Sequence, residues 1–167
     1  MPSATMLLGA AGEHYVMCQF LRRGLIAALA PVGVPNADLI VTDDIGEKLC
    51  AIQVKTRVDK GSDGGWHMGK KHEDIVSENL LYAFLDFGSS LVDPPNCFIV
   101  PSAEVAAAVK ESHALWLATP GKRGQQRNDS NMRRFLPDYS KMGLEIGRPL
   151  GWLNPYREAW HLAEAHS

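Results

Sequence analysis

Two segments of the chain carry polar residues whose types could act together on a bound ligand. Asp38 stands directly before the apolar run Leu39–Val41, and Gln53 and Lys55 stand two residues apart in a second apolar run. Successive side chains of a strand point to opposite faces, so Gln53 and Lys55 lie on the same face if this run is a strand. The pattern therefore offers a carboxylate, an amide oxygen and an ammonium to one small area.

A hairpin between the two runs would complete this arrangement. If its turn is symmetric about Ile45 and Gly46, then Asp38 lies opposite Gln53 in the antiparallel register. A turn with an odd number of residues would shift the register by one position and separate the two side chains. The convergence of these side chains is thus a prediction that depends on the turn.

Glu13 is a fourth candidate, because its position in a predicted helix is unusual for a carboxylate. The spacing predicts a helix over residues 4–23 whose apolar face includes Met6, Ala10, Met17 and Phe20, and Glu13 falls among them. An ionised carboxylate without a partner costs several kcal/mol in such surroundings, so a cation, hydrogen-bond donors or solvent in a cleft should meet it. The alternative is an edge position from which Glu13 turns outward or pairs with Arg22 or Arg23.

These residues resemble the core motif of the PD-(D/E)XK nuclease superfamily over roughly residues 5–57. The resemblance rests on Pro35 and Asp38 before one apolar run, on Gln53 and Lys55 in the next, and on Glu13 in the preceding helix. It departs from the family pattern in two places. Residues 36 and 37 separate Pro35 from Asp38, and Gln53 stands where an acidic residue is usual.

The resemblance implies a restriction-endonuclease-like α/β fold, with a central mixed β-sheet flanked by α-helices. It implies that Glu13, Asp38 and Gln53 bind Mg²⁺ or Mn²⁺, and that Lys55 assists the water that attacks a phosphodiester bond. The expected function is metal-dependent endonuclease activity on DNA. Two alternatives stay open: a weak or inactive nuclease-fold module that binds nucleic acid or a protein, and an unrelated α/β domain whose hairpin mimics the motif.

The formal net charge of −2 does not exclude a nucleic-acid partner, because the charges are segregated. Residues 48–71 carry six basic and two acidic side chains, residues 122–134 carry five and one, and residues 72–121 are strongly acidic. The two basic segments could equally be solvated surface loops that bind no nucleic acid. The candidate phosphate contacts in the two basic segments are Lys70, Lys71, Arg123 and Arg127, and Trp66 and His67 could add stacking.

The remaining pattern predicts one α/β domain over residues 1–167. Predicted strands cover 25–30, 37–42, 48–56, 80–87, 97–100 and 115–118, and predicted helices cover 102–111, 131–136 and 154–165. The glycine-rich segment 61–69 is expected to be an irregular loop.

Composition also predicts the environment of the chain. Three widely spaced cysteines indicate reduced thiols, and no apolar run approaches the ~20 residues of a membrane helix, so the expected location is the cytoplasm. The aromatic residues near the C-terminus fit core packing or a homodimer contact.

Overall fold

A computed structural model describes residues 1–59 and 64–164 of the chain. Within these ranges it contains two α-helices and seven strands. In chain order they are α1 (Ala4–Arg22), β1 (Ile26–Leu29), β2 (Leu39–Thr42), β3 (Leu49–Arg57), β4 (Trp66–Gly69), β5 (Leu80–Asp86), β6 (Asn96–Pro101), α2 (Ser102–Ala118) and β7 (Met132–Phe135). Short 3-10 helices lie at Lys70–Glu73, Ser140–Met142, Asn154–Tyr156 and Trp160–Ala163.

Five of the strands form a mixed sheet in the order β1-β2-β3-β5-β6. The central pair, β3 and β5, is parallel, and the other neighbouring pairs are antiparallel. A second, two-stranded antiparallel sheet joins β4 to β7. The parallel pair requires a crossover, and the segment that supplies it contains β4 and the 3-10 helix Lys70–Glu73.

The alternation of side chains along the central strands separates two apolar cores. On one face, Cys50, Ile52 and Val54 pack in a cluster with Val16 and Phe20 of α1. On the other face, buried side chains of β5 pack with residues from α2, β7 and the following segment, among them Tyr82, Phe84, Val105, Phe135 and Tyr139. The predicted α/β architecture, a mixed sheet with helices on its faces, is confirmed.

The helix α1 begins at a cap that the sequence favours, since the side chain of Ser3 accepts a hydrogen bond from the backbone N–H of Met6. Its buried residues are Gly12, Val16 and Phe20, whereas Met6 is exposed. The predicted face is therefore rotated. Gly12 sets the rotation, because a Cβ at this position would lie 2.0 Å from Cγ2 of Thr56 on β3.

Several predicted elements in the second half of the chain are wrong. Residues 115–118 continue α2, residues 132–135 form β7, and residues 66–69 form β4 where an irregular loop was expected. Residues 60–63 of that expected loop lie outside the described residues. The predicted helix over 154–165 is two short 3-10 helices as far as residue 164.

The cysteines are free, with Cys50 and Cys97 buried and Cys18 exposed. Among the described residues, no helix has the length and apolar character needed to cross a bilayer.

Candidate active site

The β2–β3 hairpin has the register that brings Asp38 beside Gln53. Thr42 pairs with Leu49 and Leu39 pairs with Ile52, so the turn is symmetric about Ile45 and Gly46. The hydrogen bonding between the two strands includes the residue before β2, because the backbone N–H of Asp38 donates to the carbonyl of Ile52 at 2.8 Å. The predicted register is confirmed, and it places Asp38 at the end of the sheet ladder.

The carboxylate of Asp38 is held by β3. Its Oδ2 accepts a hydrogen bond from Nε2 of Gln53 and another from the backbone N–H of Val54, the latter at 2.7 Å. Gln53 is only 7% exposed, so this bond satisfies an amide group that would otherwise be costly to bury. Within the described chain, Oδ1 of Asp38 accepts no hydrogen bond and stays available to a ligand.

Lys55 lies on the same face of β3 as Gln53 and is half-buried. Burial lowers the pKa of Lys55, and the positive charge of Lys71 lowers it further, while Asp38 acts in the opposite direction. Its ammonium forms no ion pair or hydrogen bond with any other described residue. Lys55 is therefore a cation held close to Asp38 with its hydrogen-bonding capacity unused.

Glu13 is half-buried on α1 and follows Gly12, the residue at which α1 contacts β3. Partial burial raises the pKa of Glu13, and the nearby charge of Asp38 raises it further. Two carboxylates that repel each other in this way are favourable ligands for a cation, since a cation removes the repulsion. The charge of Asp38 thus acts on Glu13 although the two residues belong to different elements.

Three polar residues lie around this group, and of these only Lys71 is a candidate from the sequence, as a phosphate contact. Lys71, in the 3-10 helix after β4, donates from Nζ to Oδ1 of Asn36 at 2.9 Å. Asn36 has a backbone φ of 62°, a left-handed conformation that asparagine tolerates better than most residues. The bond therefore fixes Lys71 against the turn that leads into Asp38.

The third neighbour, His72, is 3% exposed, and a 2.7 Å hydrogen bond joins its Nδ1 to the hydroxyl of Tyr82. Burial, with the positive charges of Lys55 and Lys71, lowers the pKa of His72 to about 4. No local spacing links His72 to Tyr82, because the bond depends on how the crossover packs on β5.

The four predicted phosphate contacts do not form one patch. Lys71 lies beside Asn36, whereas Lys70 points away and forms a 2.9 Å ion pair with Asp129. Arg127 donates to the carbonyl of Trp116 at 2.9 Å, and Arg123 is exposed. Trp66, expected as a stacking residue, is 3% exposed in the core, so that expectation is wrong.

The cation ligands that this group offers are few. Among residues 1–59 and 64–164, no three or more histidine, cysteine or acidic side chains gather as a metal site. What the group contains is two carboxylates, of Glu13 and Asp38, with the amide of Gln53. Magnesium is commonly held by one or two carboxylates, water and substrate phosphate, so this set fits such an ion.

The chain matches no family model and no curated protein. Among solved structures, it is similar to the bacterial homing endonuclease I-Ssp6803I, with a TM-score of 0.50 and 16% identity over 97% of this chain and 91% of that one. The fold is restriction-endonuclease-like. A weaker likeness is to the Holliday junction resolvase Hjc of Archaeoglobus fulgidus, with a TM-score of 0.44 and 12% identity over 83% of this chain and 92% of that one.

In this restriction-endonuclease-like fold, the helix α1 and the strands β2 and β3 each contribute to the group around Asp38. Glu13 comes from the helix, Asp38 from the residue directly before β2, and Gln53 and Lys55 from β3. Gly12 lets α1 pack closely on the side chains of Val54 and Thr56 of β3. Through this packing the charge of Asp38 reaches Glu13.

Proposed function

We propose that the protein is a metal-dependent endonuclease that hydrolyses phosphodiester bonds in DNA. The observation that carries the proposal is the group that Asp38, Gln53 and Lys55 form at the open end of the β2–β3 hairpin, with Glu13 of α1 within reach of the charge of Asp38. Its carboxylates repel each other, and its lysine, which is attracted to Asp38, forms no ion pair or hydrogen bond with a described residue. Perturbed ionisable groups of this kind cluster at functional sites.

Glu13 and Asp38 would hold Mg²⁺ or Mn²⁺, and Gln53 would complete the ligand set with a neutral oxygen. When bound, such a cation lowers the pKa of a coordinated water and offsets charge on the phosphate. The hydrogen bonds from Gln53 and Val54 to Oδ2 fix the orientation of Asp38, so its other oxygen faces the ligand without loss of side-chain entropy on binding.

Lys55 would orient the attacking water or stabilise the negative charge that develops on the phosphate. Because burial lowers the pKa of Lys55, its ammonium releases a proton more readily than an exposed lysine does. Lys71 would add a second positive charge on the approach to the site, held in place by Asn36. These roles need only side chains that already lie near Asp38.

DNA is the proposed substrate on two grounds. The similar solved structure is named a homing endonuclease, and the chain carries basic segments on both sides of its acidic middle. Contacts to phosphate supply much of the affinity of DNA-binding proteins, and lysine and arginine provide them. Lys71 is the phosphate contact nearest to the proposed site, and Arg123 is a more distant candidate.

A second candidate function is binding without cleavage. It is favoured by the neutral Gln53 and by the lack, among the described residues, of a site with three or more acidic, histidine or cysteine ligands. Fewer charged ligands lower the affinity for a cation. In this case the same fold would bind nucleic acid or a protein partner.

Plasmid, linear and branched DNA, incubated with the purified protein and Mg²⁺ or Mn²⁺, distinguish these functions. We expect nicking of at least one DNA, none in EDTA, and a rate about 10²–10³-fold lower for Lys55→Ala. Lys141→Ala, which changes an exposed lysine, is the matched control and should cleave normally. Unchanged cleavage by Lys55→Ala would exclude the mechanism, and salt-sensitive binding without cleavage would favour the module.

A further inference from the structure

A second candidate ligand site lies on the far side of the 3-10 helix Lys70–Glu73. It is a cavity of about 220 Å³ between α2, β7 and the segment that follows β7. Its interior is apolar, with Leu136, Tyr139 and Leu144 among the lining residues, all of them buried. Met132 and Met142 also line it, and they are 57% and 52% exposed, which places them at its mouth.

One wall of the cavity is aromatic. His113 stacks on Trp116 with an interplanar angle of 23° and 5.4 Å between ring centroids. The guanidinium of Arg127 lies 4.8 Å from the centroid of the Trp116 ring. These contacts hold the two rings at fixed orientations in the wall, and a flat ring that enters the cavity would pack against the edges of this stack.

Positive charge predominates around the cavity. Arg133 and Arg134 line it, Arg127 lies over Trp116, and Lys70 approaches from the 3-10 helix. The nearby carboxylates are Asp129, which binds Lys70, His113 and Arg133, and Glu73, which binds Arg133. The charges of Lys70, Glu73, Asp129 and Arg133 cancel one another, so the net positive charge of the described rim is that of Arg127 and Arg134.

We propose that this cavity receives one unpaired nucleobase of a DNA substrate, with the flanking phosphates against the cations of the rim. An apolar interior with an aromatic wall and a basic rim matches a flat ring attached to an anionic backbone. The volume is below the ~300–1,000 Å³ of sites for drug-sized ligands, which suits a single ring system. The proposal rests on the proposed function in that it takes DNA as the ligand.

The 3-10 helix connects this cavity to the candidate active site. Its adjacent lysines point in different directions, since Lys71 contacts Asn36 beside Asp38 and Lys70 contacts Asp129 at the cavity rim. A DNA strand that follows these two lysines would pass from one site to the other. An unpaired base in the cavity would then set which phosphodiester bond lies near Lys55.

The test measures binding in EDTA, so that it does not depend on cleavage. Two fluorescent duplexes are compared, identical except that one carries an unpaired 2-aminopurine whose emission reports transfer into the cavity. Met142→Trp fills the mouth of the cavity, Met132→Trp fills it from β7, and Met6→Trp places the same exposed substitution on α1. Thermal unfolding of each variant verifies that it is folded.

We expect the wild type and Met6→Trp to prefer the duplex with the unpaired base, and the two cavity variants to lose about tenfold of that preference. Affinity for the fully paired duplex should not change. Equal binding of both duplexes by the wild type, or a preference that both cavity variants retain, would overturn the proposal. A preference for the duplex with the unpaired base, without cleavage of any DNA, would support the proposed cavity site and contradict the nuclease function. Cleavage of DNA without this preference would support the nuclease function and contradict the cavity site.

Discussion

Two charged groups of this protein, on opposite sides of the 3-10 helix Lys70–Glu73, use their charges differently. In the Arg133 group, which comprises Lys70, Glu73, Asp129 and Arg133, every member has an ionic partner within the group. In the Asp38 group, which comprises Glu13, Asp38, Gln53 and Lys55, the two carboxylates repel each other. Lys55 is attracted to Asp38 but forms no ion pair or hydrogen bond with a described residue.

The difference indicates which group stabilises the fold and which is available to a ligand. Arg133 is 2% exposed, and burial of its charge without partners would cost much free energy. Its ion pairs with Glu73 and Asp129 therefore stabilise the folded state. The Asp38 group lacks such compensation from the described residues. A bound cation and a phosphate would supply it.

Breaking the Arg133 group should have the largest effect on stability. Arg133→Met leaves the carboxylate of Glu73, only 12% exposed, without its partner, so we expect the free energy of unfolding to fall by about 3–5 kcal/mol. Urea unfolding at neutral pH measures it. Lys55→Met, the matched change in the Asp38 group, should cost less than about 0.5 kcal/mol, because Lys55 forms no ion pair or hydrogen bond with a described residue and burial disfavours its charge. Equal losses in the two variants would remove the distinction.

His72, which lies between the two groups, should give the protein a specific sensitivity to acid. Its pKa is about 4 in the folded chain and near 6.5 when unfolded, so between these values only the unfolded chain takes up the proton. Stability therefore falls as the pH decreases from 6.5 to 4, by up to about 3 kcal/mol. Denaturant unfolding across this range measures the loss.

His72→Asn should remove this part of the acid sensitivity, and His14→Asn, at an exposed histidine of α1, should leave it. Since the charge of Lys55 contributes to the low value, Lys55→Met should also raise the pKa of His72, which an NMR titration of its ring would detect. A pH profile of His72→Asn that matches the wild type would contradict this account.

The part of the fold that sequence could predict is the part fixed by local pattern. The β2–β3 register follows from a short turn and from strand alternation, and both are visible between Asp38 and Lys55. The rotation of α1 was missed because it depends on the contact of Gly12 with Thr56 on β3. A helical wheel carries no information about that contact.

The second half was harder to predict because long-range pairing overrides local propensity. Residues 132–135 form a strand because β4 pairs with them, and the apolar run at 115–118 stays helical as the end of α2. The contacts between Lys71 and Asn36 and between His72 and Tyr82 likewise join separate elements. The residue types of the candidate site were readable from sequence, but the groups that position them were not.

The central claim, that the Asp38 group acts on DNA, is tested most directly by Asp38→Asn. The amide oxygen of asparagine can still accept from Gln53 and Val54, so the variant should fold and bind DNA. With Mn²⁺, we expect supercoiled plasmid to be nicked about 10²–10³-fold more slowly than by the wild type, whereas Asp93→Asn, at an exposed loop, should nick normally. Nicking by Asp38→Asn at the wild-type rate would contradict the claim.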